Sequence, residues 1–153
     1  MHNPQPTPTS ESSSHKGNCH CGAVRFSFTL SPPLHEHPVV SCNCSICSRN
    51  GYLVVYPNNA DFTLESGKEV LKSYQCASRF ALHRFCGDCG SSCFIQFPDE
   101  PTSPKFLVVN VSFADLEMQV RMLEDFDPDT LIIKKKTDGK TSGGEYKPQV
   151  NPV

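Results

Sequence analysis

The amino-acid sequence predicts a single, mainly β domain, and three observations support that prediction. Apolar and polar residues alternate with a period of two along several short segments, as they do along strands with one buried face. Only two short segments favour a helix. The length of 153 residues suits one domain with a hydrophobic core and is too short for two comfortable ones.

The first predicted strand is the clearest, because apolar residues occupy every second position from Val24 to Leu30. A hairpin is expected around Gly67, with one strand on either side of the turn at 66–68. Helix is predicted for one turn at 45–50 and for a short segment at 114–123. About eight strands are expected in all, and those that follow the first strand include 52–56, 62–65, 70–74, 80–85, 93–97 and 106–113.

Both ends of the chain have the composition of disordered segments. Residues 1–16 contain Pro, Ser, Thr and His with almost no apolar side chains, so ordering them would bury too little surface to offset the entropy lost. Residues 134–153 have the same character and are predicted to form a polar, flexible tail. The folded domain is therefore expected to span residues 17–133.

Charge and hydropathy exclude several classes of protein. The formal net charge of -2 leaves no basic excess, so no nucleic-acid partner is expected. No apolar run has the length of a membrane span and the N-terminus has no hydrophobic signal core, so we expect a cytoplasmic protein without a membrane partner. Nine cysteines, an odd number, argue against a disulfide framework in that compartment and favour metal binding.

Seven of the nine cysteines fall in three tight groups, a pattern that predicts zinc binding. Zinc prefers four tetrahedral ligands, and closely spaced cysteines bring thiolates together at little cost in loop-closure entropy. The last group, C-x-x-C followed by glycine, is typical of a zinc knuckle, and the first pair could complete a closed, structural four-thiolate site with it. The groups are Cys19 with Cys21, Cys42 with Cys44 and Cys47, and Cys86 with Cys89.

The middle group would then hold a second ion with three thiolates. Three protein ligands and one exchangeable position are the arrangement of a catalytic zinc. Arg49 and Asn50 follow Cys47 almost directly and are candidates for binding a substrate carboxylate or amide. The spacing alone leaves an alternative open, in which the C-x-x-C of the middle group and the last C-x-x-C form a single zinc ribbon.

These motifs resemble those of the glutathione-dependent formaldehyde-activating enzymes, a family that shares its domain with centromere protein V. The matching stretches are GNCHCGAVRF from residue 17, CNCSIC from residue 42 with the glycine at 51, and FCGDCGS from residue 85. The resemblance implies a β-tent-like fold of several small coiled sheets with two zinc ions. It implies a structural zinc on Cys19, Cys21, Cys86 and Cys89, and a catalytic zinc on Cys42, Cys44 and Cys47.

The resemblance also implies a reaction, the addition of the glutathione thiol to formaldehyde, which is formally a carbon-sulfur lyase reaction run in reverse. We therefore predict a zinc-dependent carbon-sulfur lyase or synthase that acts on a small-molecule thiol and a small carbonyl compound. Two alternatives are a non-catalytic zinc-binding interaction module, and a zinc lyase or hydrolase for another small carbonyl or imine. After residue 113 the family commonly continues with a segment that contains His and Trp, whereas this chain has no Trp.

Overall fold

The computed structural model describes residues 11–75, 81–96, 116–127, 129, 131, 133–142 and 145–147. These residues form two β-sheets with only short helical segments, which confirms the mainly β class and the small sheets. No helix among them is long and apolar enough to cross a membrane. In chain order the elements are β1 Ser13–Asn18, β2 Arg25–Leu30, β3 Val39–Cys42, α1 Ser45–Asn50, β4 Val54–Val55, a 3-10 turn Asn59–Asp61, β5 Phe62–Ser66, β6 Leu71–Tyr74, β7 Leu82–Cys86, β8 Ser92–Gln96, β9 Leu116–Gln119, a 3-10 turn Val120–Met122, β10 Ile133–Thr137 and α2 Gly139–Ser142.

In the part of the chain that the structure describes, the smaller sheet has three antiparallel strands in the order β1-β2-β5. Its central strand confirms the predicted alternation. Phe26, Phe28 and Leu30 are all buried, whereas Arg25 at the start of the strand is exposed. Burying a side chain of this size stabilises the fold by about 1.5 to 3 kcal/mol. The apolar face of β2 therefore anchors the smaller sheet to the rest of the domain.

Among the described residues, the larger sheet has seven strands in the order β10-β3-β4-β9-β8-β7-β6, and only the β10-β3 pair is parallel. Its middle strands are buried on both faces, since adjacent residues such as Phe94 and Ile95 point to opposite sides. Phe94 belongs to the first core cluster, which fills the space between the two sheets, and Ile95 belongs to a second, smaller cluster on the outer face. The larger sheet therefore separates two cores.

The hairpin predicted around Gly67 is wrong. β5 pairs with β2 in the smaller sheet, whereas β6 pairs with β7 in the larger one. The N–H groups of Val70 and Leu71 both donate to the Gly67 carbonyl, at 3.2 Å and 3.0 Å, and this tight turn redirects the chain from one sheet to the other. A turn signal identifies where a strand ends and says nothing about which strand it pairs with.

The helix predicted at 114–123 is also wrong where the structure describes it. Leu116–Gln119 is the strand β9, and a single 3-10 turn follows it at Val120–Met122. Leu116 and Met118 pack into the first core cluster, so the segment has a period of two, and its pairing with β4 and β8 overrides its helix propensity. The helix at Ser45–Asn50 is confirmed. The predicted strand at 106–113 lies outside the described residues.

The predicted tails are wrong at their inner ends. β1 begins at Ser13 and pairs with β2 along its whole length, and His15 is buried against the ring of Phe28 at a centroid distance of 5.6 Å. At the other end, β10 and α2 extend the fold to Ser142. Composition measures the apolar surface that a segment can bury, and it does not register backbone hydrogen bonds to a neighbouring strand. Residues 1–10 and 148–153 lie outside the described residues.

Candidate metal centres

The first and last cysteine groups meet at one end of the first core. Cys19 and Cys21 lie in the loop between β1 and β2, Cys86 ends β7, and Cys89 lies in the turn before β8. Their four sulfur atoms all lie within 4.8 Å of one another, with 3.5 Å between Cys19 and Cys21 and 3.7 Å between Cys21 and Cys86. Zn–S bonds of about 2.3 Å in a tetrahedron place sulfurs about 3.8 Å apart. The four-thiol centre therefore has the dimensions of a zinc site.

Two similar turns shape this centre. The Gly22 N–H donates to the Cys19 carbonyl at 2.9 Å, and the Gly90 N–H donates to the Cys86 carbonyl at 2.8 Å. Both glycines have a positive φ, which a side chain would oppose. The Val24 N–H also points at the Cys19 sulfur from 3.3 Å. Backbone N–H groups that face sulfur favour the thiolate, which is the form that binds a metal.

The pKa values of these thiols favour the binding of one cation by all four. Hydrogen bonds from the Ser91 hydroxyl, the Cys21 N–H and the Ser91 N–H lower the pKa of Cys89 to about 5. The N–H of Ala23 lowers the pKa of Cys21, but the neighbouring thiols, Cys19 foremost, raise it to about 12. Four thiolates this close repel one another, so they ionise together only when a positive ion shares the site.

The middle group forms a separate three-thiol centre. Cys42 ends β3, Cys44 is the N-cap residue of α1, and Cys47 lies in the first turn of that helix. The three sulfur atoms lie within 4.8 Å of one another. Cys44 and Cys47 are three residues apart and therefore face the same side of the helix. Cys47 is buried in the second core cluster, whereas Cys42 and Cys44 are half-buried, so the centre opens outwards on their side.

The thiols of this centre differ in their readiness to ionise. Burial raises the pKa of Cys42, but hydrogen bonds from the Thr137 hydroxyl and from the N–H groups of Cys44 and Gly139 outweigh it and leave that pKa below its ordinary value. Burial and the neighbouring Cys44 raise the pKa of Cys47 far above its ordinary value. Cys42 therefore ionises more readily than Cys47. The contribution of Thr137 and Gly139 was missed in the sequence because they lie in the predicted tail.

The two centres belong to different cores. Cys19 and Cys86 pack in the first core cluster, between the sheets, whereas Cys47 packs in the second cluster on the other face of the larger sheet. The structure thus brings Cys86 and Cys89 to the first cysteine pair and keeps them away from the middle group. The alternative of a single zinc ribbon, which the spacing left open, is not the arrangement of this chain.

Arg49 and Asn50 lie at the exposed end of α1. The Arg49 guanidinium donates to the Ser45 carbonyl at 2.9 Å and stacks over the ring of Tyr146 at 4.2 Å from its centroid. These contacts direct Arg49 along its own helix and towards the residues that follow α2. A role for Arg49 and Asn50 in binding substrate stays a prediction.

Glu117 is a residue near the three-thiol centre that the sequence reasoning missed. It lies between Leu116 and Met118, which face the first core, so it faces the second core on the side of Cys47. Burial raises the pKa of Glu117 to about 7, and its charge in turn raises the pKa of Cys47 and Tyr56. The alternation that identifies this face was hidden by the assignment of residues 114–123 to a helix.

Replacing Glu117 with glutamine is expected to change how stability depends on pH. Because the pKa rises from 4.5 to about 7 on folding, protonated Glu117 stabilises the fold fully below pH 4.5, and this contribution is lost as the pH rises through 7. The neutral variant does not undergo this loss. Its free energy of unfolding should therefore exceed that of the wild type by a difference that grows with pH to about 3 kcal/mol. Urea unfolding between about pH 4 and about pH 8.5 covers the whole change and measures this difference.

The exposed Glu65 on β5 provides the control for that experiment, because Glu65→Gln removes a carboxyl of the same kind from a solvated strand position. Its free energy of unfolding should follow the wild-type curve. If Glu117→Gln also follows the wild-type curve across the pH range, Glu117 does not titrate in the interior.

Comparisons with known proteins identify the family of the chain. The sequence model of the family described as glutathione-dependent formaldehyde-activating enzyme matches residues 14–131. A Halomonas elongata protein provisionally named glutathione-dependent formaldehyde-activating enzyme is 28% identical over 142 residues, which cover 84% of this chain and 87% of that protein. A crystal structure of a Rhodobacter sphaeroides protein superposes with a TM-score of 0.62 at 30% identity, over 80% of this chain and 99% of that one. The chain belongs to the glutathione-dependent formaldehyde-activating enzyme family.

Proposed function

We propose that the protein is a zinc-dependent enzyme that adds the thiol of glutathione to formaldehyde, or releases it again, by carbon-sulfur lyase chemistry at the three-thiol centre. One observation above all supports this: the seven grouped thiols divide into a set of four and a set of three on opposite faces of the larger sheet. Four thiols satisfy the coordination of zinc, whereas three leave one position for a substrate. The family of the chain supports the choice of substrates.

The four-thiol centre is assigned a structural role. Its sulfur spacings match a zinc tetrahedron, and its ligands join the β1-β2 loop to the β7-β8 turn across the first core. All four positions are taken by the protein, so no substrate can enter. An ion held there would tie the smaller sheet to the larger one.

The three-thiol centre is assigned the reaction. A zinc ion, when bound there, supplies a Lewis acid that lowers the pKa of an entering thiol to near neutrality. Cys47 anchors the centre in the second core, while Cys42 and Cys44 form its half-buried, open side. The N–H groups of Cys44 and Gly139 hydrogen-bond Cys42 and help to lower its pKa.

The overall reaction balances without any further reactant. The sulfur of glutathione forms a bond to the formaldehyde carbon, the carbon-oxygen double bond becomes single, and the proton of the thiol ends on the new hydroxyl group. The reverse reaction breaks the same carbon-sulfur bond. The position of the centre against the second core excludes part of the bulk water. This exclusion strengthens the electrostatic contribution of the N–H groups.

The rate at which free thiol disappears from a mixture of glutathione and formaldehyde tests the proposed function. We expect a rate above that of the protein-free mixture, proportional to protein concentration, lost on treatment with a chelator and restored by zinc. Other small aldehydes and imines, tested in the same way, define the carbonyl substrate. A protein that carries zinc at both centres and does not exceed the protein-free rate with any of them is a non-catalytic zinc-binding module, and the proposal is then wrong.

A further inference from the structure

Residues 137–142, here called the clamp, fold back over the three-thiol centre. They begin at the last residue of β10, lie beyond the family match that ends at residue 131, and include the helix α2. Asn43, which lies between Cys42 and Cys44, holds the clamp with its backbone and with both ends of its side chain. The Asn43 N–H donates to the Thr137 carbonyl at 3.1 Å, and its side-chain oxygen accepts from the Lys140 N–H at 2.9 Å.

The third bond of Asn43 reaches Asp138. The side-chain amide of Asn43 donates to Asp138 Oδ1 at 2.9 Å, and the same oxygen accepts from the Thr141 N–H at 3.3 Å. One carboxylate oxygen therefore caps the N-terminus of α2 and also connects this helix to the loop that carries Cys42 and Cys44. The local geometry of the clamp and its attachment to the centre depend on the same atom.

Gly139 brings the clamp into direct contact with the thiols. A Cβ atom at this position would lie 2.6 Å from the Cys42 sulfur and 2.8 Å from the Cys44 Cβ, distances that real Cβ contacts do not reach. The backbone of Gly139 can therefore approach Cys42 only because glycine has no side chain. The Gly139 N–H is among the hydrogen-bond donors that lower the pKa of Cys42.

We propose that Asn43 and the clamp are positioning elements of the three-thiol centre. Asn43 holds the clamp in place, and the Gly139 N–H holds the Cys42 sulfur in the orientation that a bound metal requires. This inference rests on the proposed function of that centre. The bonds of Asn43 to Asp138 and Lys140 are solvent-exposed, and exposed bonds of this kind add little to global stability. Their effect should therefore appear in metal affinity.

Competition between the full-length protein and a metal-binding dye, with Co²⁺ as the probe ion, measures the affinity of each centre. Two variants loosen the clamp: Gly139→Ala inserts a methyl group against Cys42, and Asp138→Ala removes the acceptor of the Asn43 amide. Loss of a group that orients a ligand typically costs about 10- to 100-fold in metal affinity. We expect a loss of that size at the three-thiol centre and unchanged affinity at the four-thiol centre.

Two further variants make the test specific. Asp138→Asn keeps an acceptor oxygen for the Asn43 amide and should restore most of the affinity. Asp61→Ala is the matched control, because Asp61 is an exposed aspartate that also accepts from an asparagine amide, that of Asn58 at 3.2 Å, away from either centre. It should bind Co²⁺ like the wild type.

The possible outcomes test the role of the clamp separately from the proposed function. If the wild type binds two ions and Gly139→Ala and Asp138→Ala keep its affinity, or if both centres weaken equally, the clamp is not a positioning element of this centre. If the wild type binds a single ion, and Cys42→Ala leaves that ion in place, the proposed function fails before the variants are compared, and the inference that rests on it is overturned with it.

Discussion

Cys86→Ala is expected to abolish cooperative folding of the domain. Cys86 is fully buried, belongs to the first core cluster and supplies one of the four thiols that join the two sheets. Structural zinc contributes about 10 to 16 kcal/mol to the folding of small domains, which is as large as the whole stability of a typical domain, about 5 to 15 kcal/mol. Thermal unfolding followed by circular dichroism should therefore show no cooperative transition in this variant.

Cys93→Ala is the matched control. Cys93 is equally buried and lies beside the same centre, but its sulfur contacts the Ser91 carbonyl at 3.4 Å and is not one of the four grouped thiols. Its loss should cost about 1 to 2 kcal/mol, as removal of a small buried group does. If both variants are destabilised by the same modest amount, the four-thiol centre does not hold the fold together.

Cys42→Ala is expected to remove catalysis while the protein stays folded. Cys42 is half-buried at the end of β3, and the first core and the four-thiol centre do not depend on it. With two thiols left, the centre should lose its metal, and the rate of thiol loss with glutathione and formaldehyde should fall by at least about a hundredfold. Circular dichroism should retain a cooperative unfolding transition.

Ser48→Ala on the exposed side of α1 controls for changes near the centre, because it removes only a hydroxyl whose bond to the Ser45 carbonyl is long, at 3.4 Å. Its activity should equal that of the wild type. A Cys42→Ala protein that keeps wild-type activity would show that the reaction occurs elsewhere.

Local pattern was enough to predict several of the strands and the cysteine groups. The alternation along β2 identified its buried face, and the spacing of Cys42, Cys44 and Cys47 identified a single turn that brings three thiols together, because both are properties of a few adjacent residues. The pairing of Cys19 and Cys21 with the last group came from the resemblance. Spacing does not contain it, since the two pairs are far apart in sequence.

Most of the errors concern which segments contact one another. The sequence predicts that β6 pairs with β5, but β6 pairs with β7. It also predicts a helix for the segment that forms β9, which lies between β4 and β8. The sequence predicts that the clamp is part of a flexible tail, yet the backbone of Gly139 packs against Cys42. A polar segment that is ordered by backbone hydrogen bonds and by one asparagine has no signature in composition or periodicity.

The zinc content of the purified full-length protein tests the central claim most directly. Two separate centres predict two zinc ions per chain in the wild type and one in Cys42→Ala, with the remaining ion held by the four-thiol centre. Elemental analysis against protein concentration gives both numbers. One zinc ion in the wild type, unchanged in Cys42→Ala, would contradict the account, because the three-thiol centre would then hold no metal for a thiol to bind.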